Sequence, residues 1–173
     1  MATASLHRSL REYLRSHRDE IAHMLVDLVA IPSVTSDEGA VQARIAALMR
    51  DRDLVLDVWE AKPEEITEYQ IHVGDQDVWD NRPNIVGKLP GTGGGRSLMI
   101  QGHVDTVDPG DPELWTHGPW GEIVDGRVYG RGAADMKSGI VIYLAALDAL
   151  RATGTRLQGD LLLAASSGVE NGG

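Results

Sequence analysis

An α/β layered sheet is the fold class that the sequence predicts, and three observations carry it. Short continuous apolar runs recur between glycines and prolines; two amphipathic stripes with helical spacing precede them; and a long apolar segment, 136–152, is followed at once by another short apolar run, 161–165. Strand-length runs that alternate with helix-length ones build layered α/β sheets.

Leu10, Leu14, Ile21, Leu25, Leu28 and Val29 recur at helical spacing, and the run stops at Ile31 and Pro32 because proline cannot continue a helix. One first helix is expected there. Ser36, Asp37 and Glu38 offer capping side chains and early-turn acids to a second helix, whose stripe includes Val41, Ile45, Leu48 and Met49. A short strand is expected over 54–59. Residues 60–83 are polar, contain Pro63, Gly74 and Pro83, and keep no period, so they read as a long irregular excursion. Residues 84–89 and 97–101 read as two buried strands joined by a flexible turn through Gly91, Gly93, Gly94 and Gly95. The segment 136–152 is apolar almost all round apart from Lys137, Ser138, Asp148 and Arg151, which predicts a mostly buried helix that stops at Gly154. A strand covered on both faces is expected over 161–165. The chain then ends at Glu170, Asn171, Gly172 and Gly173, straight after a core strand, which predicts a truncated domain.

Composition narrows the function classes. A chain of 173 residues with 42% hydrophobic content and seven prolines is in the ordinary globular range, with one domain as the default. No stretch of about 18 uncharged apolar residues occurs, so no membrane span is expected, and the Arg-studded start lacks the apolar block of a secretory signal. Arg8, Arg11, Arg15 and Arg18 with Ser5, Ser9 and Ser16 weakly resemble a mitochondrial transit peptide, but Leu6, Leu10, Leu14 and Ile21 continue as a helical stripe into the domain. A cytoplasmic location is the expectation. The absence of cysteine excludes disulfides and thiolate metal sites, so any metal must be held by His, Asp and Glu. A formal net charge of −10 argues against nucleic-acid binding, which needs clustered Lys and Arg.

Three segments place chemistry-bearing side chains at or just after predicted strand ends, where open α/β sheets build their sites. In 102–107, Gly-His-Val-Asp-Thr-Val, His103 and Asp105 share one face of an extended strand, so the carboxylate can orient the imidazole. A hydrogen-bonded structural pair would read the same way. In 129–139, Tyr-Gly-Arg-Gly-Ala-Ala-Asp-Met-Lys-Ser-Gly, Asp135 stands at the mouth of the buried helix, as a metal ligand or as an ordinary N-cap. In 166–173, Ser-Ser-Gly-Val-Glu-Asn-Gly-Gly, Glu170 follows a buried strand, as a ligand or as a solvated acid.

Taken together the three segments resemble the dizinc metallopeptidase and amidohydrolase family of acetylornithine deacetylase, succinyl-diaminopimelate desuccinylase and aminoacylase. Its signature has a Gly-His-x-Asp-Val-Val-type motif, then Gly-Arg-Gly-x-x-Asp-Met-Lys, then Glu-Glu-x-Gly-Gly. Order and spacing agree, with 32 residues from His103 to Asp135 and 35 from Asp135 to Glu170. Residues 28–33, Leu-Val-Ala-Ile-Pro-Ser, residues 84–87, Asn-Ile-Val-Gly, and Trp115, Pro119 and Trp120 before the turn at 125–129 extend the likeness over nearly the whole chain. The resemblance implies a three-layer α/β/α catalytic domain with a mixed, mostly parallel sheet, of which 1–173 is the N-terminal portion. It implies that the rest of that domain and a dimerisation domain lie outside residues 1–173. It implies two Zn2+ ions, with Co2+ as a substitute: His103 on one, Asp135 bridging both, Glu170 on the other, and Asp105 among the catalytic residues as the partner that orients His103. A cis peptide at Asp135–Met136 is implied too. The implied activity is hydrolysis of an amide in an N-acyl amino acid or dipeptide-like substrate by a metal-activated water, in an enzyme whose full-length form is a homodimer.

The resemblance also implies one further acid ligand and a distant His, both expected beyond Gly173, and within the chain the pattern breaks at one place. Where the family has a general-base Glu before the metal-binding one, this chain has Val169, and Gly168 stands where an acid is usual. Valine carries no proton, and a positioned general base contributes about 100- to 10,000-fold in rate. Glu170 is not expected to substitute, because successive residues of an extended segment point to opposite sides. The expectation is a fragment with little activity, or alternatively a non-catalytic metal-binding or interaction protein on the same fold.

Overall fold

The computed structural model describes residues 2–65 and 78–171. Four helices, α1 (Ala2–Ser16), α2 (Arg18–Val29), α3 (Gly39–Arg50) and α4 (Ser138–Ala152), accompany six strands, β1 (Val55–Trp59), β2 (Asn84–Leu89), β3 (Leu98–His103), β4 (Glu122–Val124), β5 (Arg127–Tyr129) and β6 (Leu161–Ser166). The α/β expectation holds, with strand and helix positions close to those read from periodicity. Of the irregular excursion at 60–83, residues 66–77 lie outside the described residues, and 63–65 form a short 3-10 turn.

β1, β2, β6 and β3 pair in that order, and β4 and β5 form a separate hairpin. The sheet is mixed as expected but not mostly parallel: β1 with β2 and β2 with β6 run antiparallel, and only β3 with β6 runs parallel. The reason lies in the connections. Parallel neighbours need a long crossover, usually a helix, and here α4 within the 104–160 link is what returns the chain from β3 to β6. The excursion between β1 and β2 contains no such crossover among its described residues, and that pair is antiparallel.

One core holds α2, α3 and α4 to the sheet. Leu28, Ile45, Met49, Ile140, Leu144 and Leu147 meet Ile85, Leu161 and Leu163 in a single buried cluster. The approach of α3 is close, since a Cβ at Gly87 would fall 2.8 Å from the Met49 sulfur. The opposite sheet face carries half-buried Val86 and Leu162 with exposed Met99. Among the described residues, then, two of the three expected layers are present.

The strand expected to be buried over 97–101 is instead exposed at Leu98, Met99 and Ile100, because β3 is the edge of the sheet among the described residues. Three further local expectations need correction. The single first helix is two, broken at His17 (φ −105°, ψ 17°). His17 Nδ1 lies 2.9 Å from the Tyr13 carbonyl, so the imidazole competes for a helix acceptor at the break. Second, Glu38 occupies the N-cap of α3 but makes no side-chain cap bond there. It is turned into the core instead, where both its oxygens accept from Arg82, at 2.7 and 2.8 Å. Third, residues 125–129 are more than a turn: Asp125 and Gly126, both with positive φ, make the two-residue link between β4 and β5.

Candidate metal centre

His103 is the last residue of β3, and Glu170 follows four residues after β6, so both sit at the C-terminal ends of the parallel pair. Asp135 comes from the crossover, just before α4. It is in an extended conformation (φ −124°, ψ 100°), and the Asp135–Met136 peptide is cis, as the resemblance implied. The N-cap position of α4 is Lys137, so Asp135 is not the helix cap that its sequence position also allowed. Close packing behind it depends on Gly132 (φ 78°), where a Cβ would fall 2.5 Å from Thr106 Cγ2.

One donor atom each from His103, Asp135 and Glu170 lies within 4.8 Å of the others. His103 is buried, Glu170 half-buried, and the Asp135 side chain 79% exposed. His103 Nδ1 is 3.0 Å from the Asp105 carbonyl oxygen, which can only accept, so Nδ1 carries the proton. In the neutral ring that leaves the lone pair on Nε2, which faces Asp135 Oδ1 at 3.1 Å. Those two acceptor atoms are close enough to share one divalent cation. An imidazole and two carboxylates, with no thiolate, are the donors that zinc and cobalt accept. The residues therefore fit a divalent metal.

Asp105 is fully buried and organises this site from behind. Its Oδ1 lies 3.3 Å from His103 Nδ1 and accepts from the Val169 amide at 3.2 Å. Its Oδ2 accepts from the Glu170 amide at 2.9 Å and from the Thr35 hydroxyl at 3.0 Å. One carboxylate thus touches the ring of one candidate ligand and the backbone of another. Val169, at the position where the family signature has Glu, is 41% exposed. It opens a short 3-10 turn, 169–171, so the alternation argument made for an extended segment does not apply to Glu170. Gly172 and Gly173 of the motif lie outside the described residues.

Further residues support the site without having stood out in the sequence reading. Lys137, fully buried, donates from Nζ to the carbonyls of Leu28 at 3.0 Å and Ile31 at 2.8 Å, tying the start of α4 to the end of α2. Burial lowers its pKa to about 8, while the two carbonyls favour the charged form. Gln42 on α3 donates to the Ala165 carbonyl at 3.0 Å and to Ser167 Oγ at 3.2 Å, fixing the end of β6. Glu38 and Gln42 sit four residues apart on the face that also carries Ile45 and Met49. Polar residues inside an apolar stripe were the available signal.

Residues 99–173 match the profile of Peptidase family M20/M25/M40. N-formyl-4-amino-5-aminomethyl-2-methylpyrimidine deformylase of Bacillus subtilis is 32% identical over 171 residues, which is 95% of this chain and 36% of that protein. Succinyl-diaminopimelate desuccinylase of Methylorubrum populi is 38% identical over 120 residues, 69% of this chain and 27% of that protein. The chain thus spans about a third of the length of the curated relatives it matches. Among solved structures, human carnosine dipeptidase 1 superposes with a TM-score of 0.74 at 21% identity, over 92% of this chain and 34% of that one. The dipeptidase Dug1p of Saccharomyces cerevisiae gives 0.71 at 16% identity, over 92% and 34%. At those identities the structural likeness speaks for the fold; the sequence matches carry the assignment further, and by them the chain belongs to Peptidase family M20/M25/M40.

Proposed function

We propose that this chain is the N-terminal part of the catalytic domain of a divalent-metal amide hydrolase acting on N-acyl amino acids or dipeptide-like substrates. The observation that carries the reading is the convergence of His103, Asp135 and Glu170 within 4.8 Å, with Asp105 behind them, at the C-terminal ends of a parallel strand pair. When bound there, a zinc or cobalt ion supplies Lewis acidity toward an amide carbonyl and lowers the pKa of a coordinated water. The chain's own residues do the rest. The Asp105 carbonyl holds His103 in the tautomer that points its Nε2 lone pair at Asp135. Asp135, exposed and extended, is the carboxylate open to a second cation. Glu170 comes in on a turn whose two leading amides are pinned by Asp105. Val169 offers no group to take or give a proton, so slow turnover is part of the proposal. The names of the relatives, a deformylase, a desuccinylase and dipeptidases, support the substrate class.

A second reading, a non-catalytic metal-binding protein on this fold, draws on Val169 alone. No helix among the described residues is long and apolar enough to cross a membrane. A cytoplasmic enzyme that dimerises in its full-length form is part of the same proposal. Metal analysis with turnover tests it. The purified chain is expected to bind zinc or cobalt at least about 10-fold more weakly after His103→Ala or Asp135→Ala. A full-length form carrying Val169→Glu is expected to hydrolyse N-acyl amino acids about 100- to 10,000-fold faster than the Val169 form. Metal uptake indifferent to both alanine variants would end the metal reading; zinc binding with no gain from Val169→Glu would favour the non-catalytic one.

A further inference from the structure

Three residues after Pro32 the chain reaches Thr35, which ligates nothing in the arrangement above. Its loop runs alongside the end of β3. Thr106 N donates to the Ser33 carbonyl at 2.8 Å, Thr35 N donates to the Thr106 carbonyl at 3.1 Å, and the Ser33 hydroxyl donates to the Val104 carbonyl at 2.7 Å. A bridge pairs Val34 with Thr106. Those contacts are enough to hold the loop against 104–106, and none of them uses the Thr35 hydroxyl. That hydroxyl goes instead to Asp105 Oδ2, at 3.0 Å.

A buried carboxylate needs donors around both oxygens, and what they fix is the rotation of the group about its own bond. Asp105 has an amide on Oδ1, from Val169, and an amide and a hydroxyl on Oδ2, from Glu170 and Thr35. Two of those three donors belong to the turn that carries Glu170. Of the three, Thr35 alone comes from elsewhere in the chain, so apart from the His103 ring that Oδ1 faces at 3.3 Å it is what holds the carboxylate still independently of the turn it must position. A neutral hydroxyl does this without neutralising the charge that faces His103. Its β-branched side chain is stiff about χ1 as well.

We propose that Thr35 is a positioning residue for the metal centre: its hydroxyl locks the Asp105 carboxylate so that Oδ1 addresses the His103 ring and Oδ2 the Glu170 amide. This rests on the metal reading given above, and the experiment separates the two. Zinc affinity is measured by competition with a chromophoric chelator, and cobalt binding by the visible d–d bands, for the chain and for Thr35→Val, Thr35→Ser and Ser33→Ala. Thr35→Val, nearly isosteric but without the hydroxyl, is expected to bind zinc about 10-fold more weakly or worse and to shift or weaken the cobalt bands. Thr35→Ser, which restores the hydroxyl, should bind within about 3-fold of the parent with unchanged bands. Ser33→Ala, which loosens the same loop without touching Asp105, should leave the cobalt spectrum alone. Zinc binding by Thr35→Val equal to the parent overturns the proposal, as does a Ser33→Ala spectrum altered as much as that of Thr35→Val. A Thr35→Val chain unfolded by circular dichroism also overturns it, since the hydroxyl would then serve stability. If the parent chain binds neither metal, the metal reading itself fails and takes this inference with it.

Discussion

At its C-terminal end β3 buries an imidazole and, two residues on, a carboxylate; at its N-terminal end the same strand exposes Leu98 and Met99, 57% and 54% respectively. The usual assignment of apolar residues to the inside is reversed within six residues. The buried end is permitted because each polar atom has a partner: His103 has Asp105, and Asp105 has three donors. The exposed end is a strand edge with no neighbour on one side among the described residues. Burial along β3 follows what the surrounding segments supply, more than the polarity of each residue.

The largest effect that would sharpen this comparison is expected at the buried end. Asp105→Ala leaves the Val169 and Glu170 amides and the Thr35 hydroxyl without their acceptor, at about 1 to 3 kcal/mol for each buried group left unsatisfied. A loss of about 3 to 5 kcal/mol is expected in urea unfolding, and a loss near zero would mean that water replaces the carboxylate freely. A smaller effect belongs to Lys137, whose pKa burial lowers from 10.5 to about 8. The unfolded chain holds that proton up to its higher pKa while the folded one releases it earlier, so stability should rise between pH 8 and pH 10. The gain is about 1 to 3 kcal/mol, less than the full shift implies because the Leu28 and Ile31 carbonyls favour the charged form. Above pH 10 the buried Tyr143 phenol, its pKa raised by burial, works in the opposite direction. Urea midpoints across this range should rise for the parent and stay level for Lys137→Met. The smallest effect is at the exposed end, where Met99→Lys should change stability by less than about 0.5 kcal/mol while reducing self-association in sedimentation. A large destabilisation there would break the comparison, because it would mean that the edge is covered.

Periodicity made most of the fold legible. The helical stripes located α3 and α4 to within a residue or two, and the apolar runs located β2 and β6, because amphipathic burial leaves a repeating trace. Strand direction left none: which neighbours run parallel depends on connections whose path periodicity does not encode. The His103, Asp135 and Glu170 cluster was legible through motif order and spacing. Thr35, Gln42, Lys137 and the Arg82–Glu38 pair were not, because each acts by a tertiary hydrogen bond to a distant segment. Lys137 looked like a polar interruption of a buried helix, and Glu38 like a capping acid; both point inward. Asp125 and Gly126 were read as a turn, but the three-residue strands on either side are too short for alternation to reveal.

The Val169 and Glu170 amides lie beyond the last rung of the β3–β6 ladder, His103 with Ser166, yet both donate to a carboxylate that water does not reach. Their exchange with deuterated solvent should therefore require release of the Asp105 carboxylate, so the segment that brings Glu170 to the cluster is expected to exchange more slowly than a free chain end.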